Sequence, residues 1–173
     1  MDKWYMLTVI GKDRPGIVSH VTAALYDSGC DLGESSMLRL GDSFTIMMMV
    51  KFSGNTHAMQ QIVAPVAESM GLHLHVDKID GHLHRHIEPD VHIAVYGADR
   101  PGIVAHVTGS LAEAGLNIVN MDTDVAGTKE EPIYIMHIDG VAGEGIPALE
   151  SALDIVIQEG VEATLTPIET MIG

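Results

Sequence analysis

The chain has 173 residues, 46% of them hydrophobic and 19% charged, which is the composition of a globular protein rather than a disordered or fibrous one. Its longest apolar run, residues 46–50, falls far short of the roughly 18 residues a membrane helix needs. The net charge of −15 is uneven: nine acidic against seven basic side chains in 1–86 leave −2, whereas fifteen against two in 87–173 leave −13, a surface that repels phosphate backbones and disfavours direct nucleic-acid binding.

In chain order, residues 4–10 are rich in aromatic and β-branched side chains and stop at Gly11, which predicts a buried strand. Ile17, Val18, Val21, Ala24 and Leu25 then form an apolar stripe at helical spacing, and Gly29 sits where a C-terminal glycine would end the helix. Residues 35–40 and 44–52 read as strands of a hairpin turning at Gly41-Asp42. In the second of them Phe44, Ile46, Met48 and Val50 alternate with Met47 and Met49, so both faces are apolar and a partner surface is expected over one. Ala58, Ile62, Val66 and Met70 mark a second helix closed by Gly71, and 73–79 alternate like a final strand. The same order returns with strands near 91–96, 118–125, 133–138 and 161–166 and helices near 102–114 and 146–158. A β-α-β-β-α-β chain folds as a four-stranded antiparallel sheet with both helices on one face, so the fold class is α+β with two ferredoxin-like units. The expected domains are 1–80 and 90–173, joined by a histidine-rich linker over 81–89.

The duplication is direct. Laying 9–37 on 95–123 matches thirteen of 29 positions. The shared core is Asp13-Arg14-Pro15-Gly16-Ile17-Val18 against Asp99-Arg100-Pro101-Gly102-Ile103-Val104. One reading is structural: the aspartate caps the helix by accepting the glycine N–H, the proline fixes φ and the glycine permits close packing. The other uses the same geometry for a ligand. Free N–H groups at a helix N-terminus suit a carboxylate, and an acid or amide beside them suits an ammonium; together these describe an amino acid.

This motif, followed by Gly29-Cys30-Asp31-Leu32 in the first copy and Gly115-Leu116-Asn117-Ile118 in the second, resembles the ACT domain family, whose signature ends in Gly-x-Asn-Ile entering the second strand. Both halves match. The resemblance implies ligand-binding residues Asp13, Arg14, Gly16 and Asp31 in the first copy and Asp99, Arg100, Gly102 and Asn117 in the second, with ligands often held at an interface between ACT units. Asp31 departs from the family asparagine, so the two sites need not be equivalent. Two ACT units without a catalytic domain, with Gly29-Cys30-Asp31 and the hairpin Leu40-Gly41-Asp42-Ser43-Phe44-Thr45, are similar to the glycine cleavage repressor group. That likeness implies a protein that senses a small amino acid, glycine or serine favoured, and acts on transcription through a DNA-binding regulator protein; a non-enzymatic, cytoplasmic homodimer is expected. The alternative is a stand-alone interaction module whose loops are structural, with no small-molecule ligand.

Other constellations are weaker. His73, His75, His82, His84, His86 and His92 crowd into 20 residues, but their spacing fits no zinc pattern and no metal is expected. His20 and His106 recur one turn into the first helix of each copy, with a packing, capping or site role open. No triad motif or phosphate-binding glycine loop occurs, so no catalytic residue and no cofactor is expected. The single cysteine, Cys30, forms no internal disulfide and agrees with a reducing compartment, as does an N-terminus without a basic-then-apolar leader pattern.

Overall fold

In a computed structural model, which describes residues 3–80, 87–98 and 101–168, the chain divides into two compact units, Met1–His84 and Arg85–Gly173. The first contains β1 (Lys3–Lys12), α1 (Ile17–Asp27), β2 (Asp31–Leu40), β3 (Ser43–Phe52), α2 (Thr56–Met70) and β4 (His73–Ile79), with sheet order β2-β3-β1-β4. The second contains β5 (Val91–Ala98), α3 (Ile103–Glu113), β6 (Leu116–Gly127), β7 (Pro132–Ala142), α4 (Ile146–Gln158) and β8 (Val161–Pro167), ordered β6-β7-β5-β8. All pairings are antiparallel, the expected ferredoxin-like arrangement.

Each core lies between the helices and one sheet face. In β1 the period of two buries Tyr5, Leu7 and Val9, and β3 adds Phe44, Ile46, Met48 and Val50 to the same cluster. Val91, Ile93 and Val95 of β5 do the same with Met136 and Ile138 of β7. The α1 stripe is narrower than its sequence suggests: Ile17, Val21 and Leu25 are buried, while Val18 is exposed. On α2 the predicted stripe lies one residue out. Met59, Val63 and Ala67 are the buried line, and Ile62, Val66 and Met70 flank it half-buried. The helix begins at Asn55, whose side chain accepts from the Ala58 N–H at 2.8 Å, and ends at Gly71, where φ of 67° needs no Cβ.

The opposite sheet faces differ between units. In the first, Ile10, Leu38, Leu40 and Met47 are exposed, with Met47 46% accessible; Met49 is only 6% accessible, because the β2 bulge brings Gly33 against Trp4 and Met49. In the second, the face is mixed: His92 bonds Asp139 at 2.6 Å and stacks on His137 at 5.4 Å between centroids, Asp122 and Asp124 of β6 stand opposite His137 and Ile135, and Ile133 lies exposed on the same face. The apolar two-faced pattern of β3 repeats in β7 only over Ile133–Met136, after which His137 and Asp139 make one face polar. No helix among the described residues is long and apolar enough to cross a membrane.

Candidate functional site

The first loop joins the end of β1 to α1. Pro15 lies before the helix, and the N-cap is Gly16 at φ 90°, with no side-chain cap. The Asp13 carboxylate does not cap α1, contrary to the structural reading of the motif. It pairs instead with Arg39 of β2, Nε to Oδ2 at 3.2 Å, while the Asp13 N–H donates to the Asp42 carbonyl at 2.8 Å and ties the loop to the β2–β3 hairpin. The Gly16 carbonyl is crowded: it accepts the helical His20 N–H at 2.9 Å, the Ser19 hydroxyl at 2.9 Å and the His20 ring at 2.6 Å. A carbonyl only accepts, so His20 carries its proton on Nδ1. A cavity of about 360 Å³ remains between Asp13, Arg14, Gly16, Ile17, Val18, Ser19, Met37 and Phe44.

In the second copy Asp99 and Arg100 lie outside the described residues. Gly102 repeats the N-cap geometry at φ 88°, again without a side-chain cap. The repeated histidine behaves differently, because His106 Nδ1 meets Glu159 Oε2 at 2.7 Å, just beyond α4, instead of folding back on the glycine. Pro101, Gly102, Ile103, His106, Val107, Val156, Glu159 and Val161 surround a cavity of about 320 Å³. The two glycines make a matched test. A Cβ on Gly16 would lie 3.2 Å from the His20 ring, whereas one on Gly102 meets nothing within 4 Å. Both substitutions to alanine force a left-handed residue, at about 1–2 kcal/mol. Urea unfolding should therefore show both variants destabilised, with Gly16→Ala the worse; an equal or larger loss for Gly102→Ala would remove His20 as the cause.

Asp31 and Asn117 stand elsewhere. Asp31 opens β2 opposite Lys51, which in turn pairs with Trp4 at the start of β1, whereas the Asp13 loop follows the end of β1. At roughly 3.3 Å per residue the two ends of that strand are about 30 Å apart. Asn117 likewise pairs with Val141, near the start of β5, away from Gly102. Within one unit, then, the structure groups Asp13, Arg14 and Gly16 but not Asp31 with them. Arg39 was missed by reading the motif alone. The signal was the Gly41-Asp42 turn, which sets Arg39 opposite Phe44 and Phe44 opposite Gly11, at the loop's own end of the sheet.

Cys30 is buried, and its thiol is pushed above its ordinary pKa by desolvation first and the neighbouring Asp31 charge second, so it stays protonated and unreactive near neutral pH. Among the described residues no group of three or more His, Cys, Asp and Glu is placed to hold a metal ion. His75 bonds Asp77 at 2.9 Å; His82, His84 and His86 lie outside the described residues.

Residues 5–77 match one family model described as ACT domain, and residues 91–158 match a second with the same description. The chain is 24% identical over 153 residues to the Glycine cleavage system transcriptional repressor of Escherichia coli (strain K12), covering 88% of this chain and 80% of that protein. Among solved structures, an unknown protein from Galdieria sulphuraria superposes with a TM-score of 0.75 at 24% identity, covering 98% of this chain and all 100% of that one. A candidate glycine cleavage system transcriptional repressor superposes with a TM-score of 0.73 at 19% identity, covering 98% and 99%. These two likenesses establish the tandem fold over nearly the whole chain.

Proposed function

We propose that this chain, which belongs to the ACT domain family, is a non-enzymatic regulatory protein that senses a small amino acid at its Asp-Arg-Pro-Gly loops and passes the signal to a protein partner. The observation that carries the reading is the repeated loop itself: each copy opens a helix on a glycine N-cap that no side chain caps, beside a cavity of about 320–360 Å³. Such a helix start favours a carboxylate through its free N–H groups and dipole. Asp13, Arg14 and Gly16 would contact the ligand in the first copy, and Asp99, Arg100 and Gly102 in the second. Asp31 and Asn117, at the far ends of their sheets, would contact ligand from a second copy of the chain, as a homodimer supplies. The name of the E. coli relative favours glycine as ligand and a role in transcription, and the family resemblance adds serine as ligand and a DNA-binding regulator as partner. The net charge of −15 supports a route through protein rather than through direct DNA contact.

Calorimetric titration with the twenty common amino acids, together with melting curves, tests this reading. Glycine or serine should release or absorb heat and raise the melting temperature; ligand at a hundred times its Kd stabilises by about 2.7 kcal/mol. No heat and no thermal shift with any of the twenty would sink the sensing role.

A further inference from the structure

Asp13 lines the first cavity, and Arg39 of β2 pairs with its carboxylate. Asp13 is 36% exposed and Arg39 63%, joined by a single contact at 3.2 Å. An ion pair this wet contributes little, so opening it costs little. Beneath it the floor is apolar, from Met37 and Phe44. A carboxylate that binds a cation and a cation that binds a carboxylate, a few ångströms apart over an apolar floor, complement a zwitterion: one internal pair is exchanged for two. Arg39 presents a planar fork suited to a carboxylate, in a place where a lysine would offer only a point charge.

At the position matching Arg39 the second copy carries no cation. Arg39 pairs with Phe44, itself opposite Gly11; in the second unit the residue paired with Tyr134, opposite Gly97, is Val125. Val125 is exposed and offers no charge to a ligand. The neighbouring histidine is also reassigned, His20 to the Gly16 carbonyl and His106 to Glu159.

We infer that the first loop is the amino-acid site of the chain, with Asp13 taking the ammonium and Arg39 the carboxylate of a small α-amino acid, and that the second loop is not its equal because Val125 replaces the arginine. The inference rests on the sensing reading above and adds a residue outside the family motif. It is tested by titrating the twenty common amino acids, and glycine methyl ester beside glycine, into the full chain and into Arg39→Gln and Arg39→Lys. The expected result is one molecule bound per chain in the unmodified protein, about tenfold or greater loss of affinity in Arg39→Gln with an unchanged melting curve, partial recovery in Arg39→Lys, and no binding of the ester. Binding of an amino acid that Arg39→Gln leaves unchanged, or two equal sites per chain, would overturn the inference while leaving the sensing role standing. No binding of any amino acid to the unmodified chain would overturn both. Melting curves of both variants separate a lost contact from a lost fold.

Discussion

Leu7→Ala is expected to lower the unfolding free energy of the first unit by about 2–5 kcal/mol, the range for removing a fully buried leucine side chain. Leu7 is 0% accessible, registered between Met48 of β3 and Val76 of β4 and covered by the buried lines of α1 and α2. Truncation removes its transfer free energy and leaves a cavity that neighbours held by the sheet ladder fill only partly. Against a total of about 5–15 kcal/mol for a small domain, that is a large fraction. The chain carries its own reporter, since its one tryptophan, Trp4, lies on the same strand. Urea unfolding followed by Trp4 emission should show the midpoint falling sharply in Leu7→Ala. Val18→Ala, at an exposed site on α1, should stay within about 0.5 kcal/mol of the unmodified protein. A loss below about 1 kcal/mol for Leu7→Ala would mean that Leu7 does not occupy the centre of the core.

How much of this was legible in the sequence depends on whether a feature is local. Helix α4 and strand β4 have the predicted bounds, because glycines close both helices, at Gly71 and Gly160, and strong alternation or spacing fills the interval. Strand β2 begins four residues earlier than predicted, at Asp31 instead of 35. It is an edge strand exposed along its whole length and interrupted by the Leu32/Ser35 bulge, so it carries no alternation to find. The α2 stripe shifted by one because apolar residues flank the true line on its near side, and only docking against the sheet decides which row faces inward.

The candidate site divides in the same way. The Asp-Arg-Pro-Gly loop is contiguous and was found; its charged neighbour Arg39 comes from register, 26 residues on, and was not. Asp31 illustrates the converse. It follows α1 closely in sequence, yet a helix of 11 residues carries the chain about 16 Å back along the sheet at roughly 1.5 Å per residue, so the second strand starts at the end opposite the loop. Sequence proximity within a βαβ crossover therefore signals spatial distance for residues on either side of the helix. Asp13 and Asp31 therefore do not line one pocket within a unit.

Gly140→Ala is the second substitution with a large expected effect, because it joins packing to that far-end position. Gly140 lies in β7, buried, paired with Val91 on one side and Ile118 on the other. A Cβ there would stand 2.7 Å from the Asn117 carbonyl oxygen and 2.7 Å from Leu116 Cδ1. The leucine methyl can swing aside; the carbonyl is fixed in the backbone next to the Ile118/Asn120 register shift. Relief must come from moving β6 away from β7 at that point, and overpacking of this kind costs about 1–3 kcal/mol. The second unit should lose that stability in urea, and the amide resonances of Asn117 and Ile118 should shift more than those of Asp124 and Val125 at the other end of the strand. If β6 yields there, Asn117 leaves its position without any change to its own side chain, so an Asn117-dependent amino-acid response should weaken in step with the amide shifts. Unchanged resonances with full stability would show that the strand absorbs the methyl group elsewhere and that Gly140 does not fix Asn117.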